Sequence, residues 1–460
     1  MPSSPVDRAL RTFVPVDDGE SGAALWSFAY FFFLLGGYYM LRPVREAMGV
    51  AGGVDNLPWM FTAVFLVLLA AVPAFGALVA RLPRRRFVPA VYRFFLLNIL
   101  VFAALLHFDV ARRTVAQGFF VWVTVYNMFV VSVFWSVMAD VFSSQQGKRL
   151  FGFIAAGGST GALFGSWITS ILVEPAGLAV LLVLSATLLE CAVQCFGRVT
   201  RPMARPLLMR VDAGGGVHDR DRTSRPAVRS PGLPEQSGQG AAGPPGRAER
   251  PIGGSIIAGA TQVARSPYLA GICLYLLCMS LAATFVYIAR AQIVAEAFST
   301  DEVRSAFFAV VDAMNSLLTL LLQLLLTARV LRWLGIALTL AVLPLLTVAG
   351  FIGLSMLPVL SMLVVFQVAM RAARHSITRP GREMLFTVVS REQKYKCKNF
   401  IDTVVYRGGD ALSSWAFRTL QALGLGLASI AVAAVPITLV WLAAAVFLGR
   451  RQEARARNSG

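Results

Sequence analysis

Apolar residues fall along this chain in long blocks, not at alternating positions or on one helical stripe. Twelve blocks approach or exceed ~20 residues, the length at which an α-helix crosses the hydrocarbon of a bilayer. They cover 24–44, 57–80, 87–108, 115–139, 151–173, 178–197, 268–290, 305–327, 335–355, 358–377, 399–421 and 426–448. Lipid offers no water to satisfy backbone N–H and C=O groups, so each block predicts a helix. Between the sixth and seventh blocks the pattern stops. Residues 198–254 are rich in Gly, Pro, Arg and Ser, with Gly214-Gly215-Gly216 and Gly243-Pro244-Pro245-Gly246. That composition cannot bury a core and predicts a disordered linker. The predicted organisation is a six-helix bundle over 1–197, a linker over 198–254, a second bundle over 255–449 and a tail over 450–460.

Composition sharpens the class. Of 460 residues 57% are hydrophobic and 14% charged, with mean hydropathy +0.67, whereas a soluble domain is about 25% charged. The expectation is an all-α polytopic membrane protein. Forty-two Lys and Arg stand against 24 Asp and Glu, a formal net charge of +18. This excess concentrates in alternate loops: Arg81 to Arg86, Lys148 and Arg149, Arg198 to Arg210, Arg379 to Lys398, and Arg450 with Arg451. All of these share one side if both termini are cytoplasmic, so the charge reads as topology and no nucleic-acid partner is expected. The predicted location is a bacterial inner membrane. Asp17, Asp18 and Glu20 precede the first block without a cleavage-like site, so that block reads as a retained helix. Five cysteines without C-x-x-C spacing suggest small buried hydrophobes.

The chain also repeats itself at an offset of 248 residues. Tyr39 and Arg42 meet Tyr287 and Arg290; Ala80, Arg81 and Arg84 meet Ala328, Arg329 and Arg332; Lys148 meets Lys396; Trp167 meets Trp415. Two parallel six-helix halves joined by a cytoplasmic linker is the architecture of major facilitator transporters, whose substrate cavity lies between the halves.

Charges inside a membrane span are costly and mark cavities or partners. Arg42 and Arg45 stand three apart around Pro43 and share a helix face; two guanidinium forks there suit phosphate or carboxylate oxygens. Glu46 adjoins them, so pairing with Arg45 and snorkelling to the interface is the competing reading. Arg407 and Asp410 flank Gly408-Gly409, with Asp402 a turn earlier. Asp312, with Asn315 on its face, is a lone acid in an apolar span, and Asp140 closes the fourth block. Arg290 ends the seventh; Arg371, Arg374 and His375 share a face of the tenth and are candidate topology anchors or cavity residues. Arg93 and Glu190 lie on spans expected to pack outside the cavity. Gly157, Gly161 and Gly165 form a ladder at spacing four that reads as close helix packing. There is no Ser/His/Asp set, metal cluster or dinucleotide fingerprint, so no enzyme activity, cofactor or metal is expected.

Three stretches resemble the nucleotide transporters (ATP/ADP translocases) of plastids and intracellular bacteria. Tyr38-Tyr39-Met40-Leu41-Arg42-Pro43-Val44-Arg45-Glu46 is similar to their "I-L-R-D-x-K-D" first-helix end. Phe134-Trp135-Ser136 through Gly147-Lys148-Arg149-Leu150-Phe151-Gly152 resembles "F-W…A-N…E-A-K-R-F-Y…F-G". Lys398-Asn399-Phe400-Ile401-Asp402 to Arg407-Gly408-Gly409 resembles "K…I-D…G-K-S-G-G". The resemblance touches both halves and identifies a divergent bacterial member. It implies nucleotide binding and exchange through Arg45, with Arg42, and Arg407, and acidic counterparts near Asp140 and Asp312. Arg stands for the family's Lys at Arg45 and Arg407, and Pro43 for its Asp.

The expectation is therefore an alternating-access transporter of an anionic, phosphorylated solute, with a nucleotide as the suspected substrate. Arg42, Arg45, Arg290, Arg374 and Arg407 are the candidate binding residues. Glu46, Asp140, Asp312, Asp402 and Asp410 are candidate counter-charges or coupling groups. A monomer is favoured. Proton-coupled transport or efflux of a non-nucleotide solute, and a non-transporting membrane scaffold, are the rival readings.

Overall fold

The computed structural model describes residues 20–81, 84–200, 256–325, 327–386, 388–389, 397 and 400–457. All regular structure among them is helical. The first half comprises α1 (Ser21–Ala51), α2 (Leu57–Arg81), α3 (Arg84–His107), α4 (Arg112–Val141) and the stretch Ser144–Thr200. That stretch reverses at Gly177, whose φ of 78° lies in the region only glycine adopts freely. It therefore forms two helices, α5 over 144–176 and α6 over 178–200. The second half follows a short helix, Ile256–Arg265, with α7 (Pro267–Ala297), α8 (Asp301–Leu325) and the stretch Thr327–Met356, which breaks at Gly335 (φ 66°) so that α9 covers 336–356. Next, α10 runs from Leu360 to Leu385 through a π-helical turn at Arg374–Thr378. The last two are α11, which begins with a π-helical turn at Ile401–Val405 and ends at Ala422, and α12 (Leu427–Arg457).

Twelve crossings bring both chain ends to one end of the bundle, called here the terminal end; the opposite, distal end carries the α1–α2, α3–α4, α7–α8 and α11–α12 turns. Each predicted block falls on a helix. Two boundaries differ from the hydrophobic pattern in ways that matter. The first helix continues unbroken through Pro43 to Ala51 and takes Arg45 and Glu46 inside it. The tenth extends past 377 to Leu385 and makes Arg379 and Arg382 helical instead of loop residues. The expected linker falls almost wholly on 201–255, outside the described residues.

Small residues set the first half's packing. A Cβ at Gly157, Gly161 or Gly165 would strike the backbone carbonyl oxygen of Phe28, Phe32 or Gly36, so α1 and α5 touch backbone to backbone. Buried tyrosines fasten the helices further: the Tyr30 hydroxyl donates to that of Tyr92 at 2.7 Å, and Tyr92 donates to the Val130 carbonyl at 3.1 Å. In the second half Tyr268 and Tyr275 do the same, donating to the carbonyls of Leu385 and Leu340 at 2.9 and 3.1 Å. A hydroxyl in lipid must find an acceptor, and these find one across helices. Each half has its own apolar core, but that of the second continues into Ala47, Leu57, Phe61 and Val64 of α1 and α2. Large apolar side chains such as Phe94, Leu97, Ile171, Val365 and Val432 face outward, as lipid contact demands.

Candidate functional site

Between the halves lies a cavity of about 820 Å³, walled by α1, α2, α4, α7, α10 and α11. Eight arginines reach it: Arg42, Arg45, Arg290, Arg371, Arg374, Arg379, Arg382 and Arg407. Two acids, Glu46 and Asp410, share the wall, and Asp312 stands directly behind it on α8. Among the described residues, cations thus outnumber acids by a wide margin around one chamber.

The deeper part is a set of shared ion pairs. Asp312 accepts from Arg371 at 2.8 Å and lies 3.6 Å from Arg42. Glu46 accepts from Arg45 at 3.0 Å and from Arg290, which is buried almost completely. Each carboxylate therefore serves two guanidiniums. Arg45 also donates to Thr124 Oγ1 at 2.9 Å and lies over the Phe120 ring at 3.9 Å. Arg42 sits over Tyr39 and Arg290 over Tyr287, at 5.2 and 5.0 Å from the ring centroids. These four are among the residues paired by the 248-residue repeat, and both Tyr-x-x-Arg elements point into the same cavity.

Toward the terminal end the charge is less balanced. Arg407 lies 3.4 Å from Asp410, whose other oxygen takes the Ser280 hydroxyl of α7. Arg374 and Arg379 form no ion pair among the described residues, and the Nε of Arg374 is buried without a hydrogen-bond acceptor. Gln367, one turn before Arg371 on the same face of α10, is buried with neither amide atom partnered. The two π-helical turns begin at Arg374 and end one residue before Tyr406-Arg407. Such turns insert an extra residue into a helix and re-aim the side chains beyond it, and they concentrate at functional sites.

The distal end is closed by contacts between the halves. Arg112 of α4 donates to Asp301 of α8 at 2.8 Å, and Arg304 holds the other oxygen at 3.0 Å. The Arg418 guanidinium reaches the Asp55 carbonyl. The Trp415 indole donates to Thr62 at 3.1 Å while its ring meets Trp59 edge-on at 4.9 Å.

Of the residues singled out from sequence, Arg42, Arg45, Arg290, Arg374, Arg407, Glu46 and Asp410 line the cavity, and Asp312 buttresses it. Of the competing reading for Arg42 and Arg45, the Arg45–Glu46 pair is present at 3.0 Å, but both side chains point into the cavity and not to the interface. Asp140 does not line the cavity; it is exposed near the terminal end of α4. The Asp402 side chain lies outside the described residues. The hydrophobic pattern puts Arg379 and Arg382 in a cytoplasmic loop, yet they continue the cavity face of α10. Their spacing from Arg371 (eight and eleven residues) carries that signal, but the break in hydrophobicity after 377 masks it. Trp167, the repeat partner of Trp415, faces outward instead.

Comparison with known proteins gives the fold. No family model matches, and no curated protein matches. Among solved structures, a peptide transporter POT is 14% identical at TM-score 0.60, covering 97% of this chain and 99% of that one. A POT family transporter in complex with 5-aminolevulinic acid is 11% identical at TM-score 0.58, covering 92% and 96%. The nucleoside transporter NupG is 11% identical at TM-score 0.54, covering 94% and 98%. The chain is thus an all-α polytopic membrane protein with the major-facilitator fold of these transporters, and its arginine-lined chamber sits where the two halves of that fold meet.

Proposed function

We propose that this protein is a membrane transporter for an anionic, phosphorylated solute, with nucleotide exchange as its specific form, working by alternating access. The observation that carries this reading is the cavity's charge: eight guanidiniums on one wall system, with three acids among them. Guanidinium forks bind phosphate oxygens in pairs, and several forks converging on one chamber can engage one phosphorylated group together. The volume of about 820 Å³ admits a nucleotide-sized ligand. On this reading both termini are cytoplasmic, the membrane is a bacterial inner membrane, and the closed distal end faces outward, so the structure is the state shut to the exterior. Arg42, Arg45, Arg290, Arg374 and Arg407 are then the binding residues, and Glu46, Asp312 and Asp410 their counter-charges.

The test is uptake of labelled ATP, ADP and other phosphorylated metabolites into vesicles reconstituted with purified protein. Wild type is expected to exchange at least one of them, and Arg45→Ala or Arg407→Ala to abolish that exchange while the protein remains monodisperse. Full transport by both variants would reject the assignment. A thermal-shift screen supports the choice of solute, because a ligand bound only by the folded state raises the melting temperature by mass action.

A further inference from the structure

One ion pair lies on the outer face of the first half, away from the cavity. Arg93 of α3 donates to Glu190 of α6 through two bonds, Nη2 to Oε1 at 2.9 Å and Nε to Oε2 at 3.3 Å. Gln194 adds a third bond to the same carboxylate at 2.8 Å. The pair lies on the outer surface: the side chains are 57% and 34% exposed. Its neighbours Phe94, Leu97 and Val183 are 60%, 61% and 48% exposed and apolar. Its depth is unusual. Arg93 is nine residues beyond Arg84 and Glu190 ten before Thr200. Counted from the apolar ends of the two spans, Phe87 and Gly197, six and seven residues at 1.5 Å each put both about 10 Å inside, roughly a third of the way into a ~30 Å hydrocarbon layer. The equivalent outer helices of the second half, α9 between Ile336 and Met356 and α12 between Leu427 and Leu448, carry no charge at all.

A half-exposed ion pair at that depth is expensive against acyl chains, and residues so placed nearly always face protein or water. The Arg93 side chain does not extend toward the interface but bonds sideways to Glu190 on the neighbouring helix. The patch carries one positive and one negative group side by side, so it is complementary to itself under a twofold rotation about the membrane normal. We propose that the α3–α6 face is a homodimer interface, in which Arg93 of each copy also donates to Glu190 of the other. The four charges then close into a ring, with Phe94, Leu97 and Val183 packed around it. Cation and carboxylate each gain a second partner, and the polar surface leaves the lipid.

The test uses two differently tagged copies of the full chain, co-reconstituted in vesicles, with co-capture and energy transfer between labels as readouts. Wild type should associate. Arg93→Leu with Glu190→Leu should remain folded, since both substitutions suit lipid, and should associate about tenfold more weakly or worse. Arg93→Glu and Glu190→Arg should each fail to self-associate, yet pair with one another, because the mixed ring restores one complementary contact at each position. A wild type that stays monomeric in vesicles would overturn the proposal, as would undiminished association of the double Leu variant. Monomeric wild type that instead carries a different membrane protein through purification would equally overturn it.

Discussion

Replacing Glu46 by Gln isolates the energetics of the cavity's deepest ion pair. Glu46 is 3% exposed and is the anion facing Arg290, itself 1% exposed with an unpartnered Nε. Removing the negative charge leaves the Arg290 guanidinium buried among Tyr287, Phe308 and an amide. Breaking a buried pair from one side costs about 3–5 kcal/mol, because a charge remains without compensation. Arg45 contributes little of this, since it keeps Thr124 and the Phe120 carbonyl. The double variant Glu46→Gln/Arg290→Gln removes both charges and should recover most of the loss. Asp312→Asn gives the internal comparison. Its partners Arg42 and Arg371 are 15% and 13% exposed to the cavity, where water can solvate them. Its cost should therefore be lower, about 1–3 kcal/mol. The assay is reversible unfolding of purified protein in mixed detergent, followed by circular dichroism, as a double-mutant cycle. A Glu46→Gln variant as stable as wild type, or a double variant less stable than the single, would refute the reasoning.

Three further outcomes are expected. Gly161→Val should destabilise the α1–α5 contact by about 1–3 kcal/mol or prevent folding, because the new side chain meets the Phe32 backbone; Gly152→Val, with nothing within 4 Å, should leave the melting temperature unchanged. Asp301→Asn should cost about 1–3 kcal/mol, since Asp301 is buried and Arg304 is 14% exposed although Arg112 is 45% exposed, and should speed labelling of a cysteine placed at Thr62 by an impermeant maleimide; unchanged labelling would show that this pair does not hold the distal end. Arg374→Ala should leave stability unaltered, having no ion partner among the described residues to strand, while weakening the thermal shift by inorganic pyrophosphate about tenfold; an equal shift in both proteins would remove Arg374 from the binding set.

The helices and their order were legible because bilayer thickness imposes a length on every span, and that length is written as uninterrupted apolar runs. The cavity arginines were legible for a related reason. A charge such as Arg42 or Asp312 within an apolar run has few places to go except inward. The ends of helices were less so. Arg379 and Arg382 come after a drop in hydrophobicity that is identical in a loop and in the watered end of a cavity helix. Nor does the sequence show the π-helical turns, because i→i+5 bonding at Arg374–Thr378 is chosen by the packing around it. Pairing was opaque as well: Arg45–Glu46 is adjacent in sequence, but Arg42–Asp312 and Arg290–Glu46 span the two halves.

Those crossed pairs have a consequence for how an anion would act. Arg42 and Arg290 are repeat equivalents, yet their acids are not: the position equivalent to Glu46 is Val294 and that equivalent to Asp312 is Val64. The symmetric element is the cation, and the carboxylates are single, unsymmetric neutralisers shared between guanidiniums. Each pair also joins the halves, since Arg42 of α1 faces α8 and Arg290 of α7 faces α1. A phosphate entering on the proposed reading meets guanidiniums already largely withdrawn from water and already balanced by carboxylates. It exchanges with a carboxylate instead of burying a bare charge, which avoids most of the desolvation penalty. At ~4 Å and an effective dielectric of ~20 each such contact is worth about 4 kcal/mol before that penalty. An anion that takes Arg42 or Arg290 therefore competes with a tie between the halves on equal terms. A neutral analogue of the same shape has nothing to exchange, so it can occupy the chamber without loosening either tie.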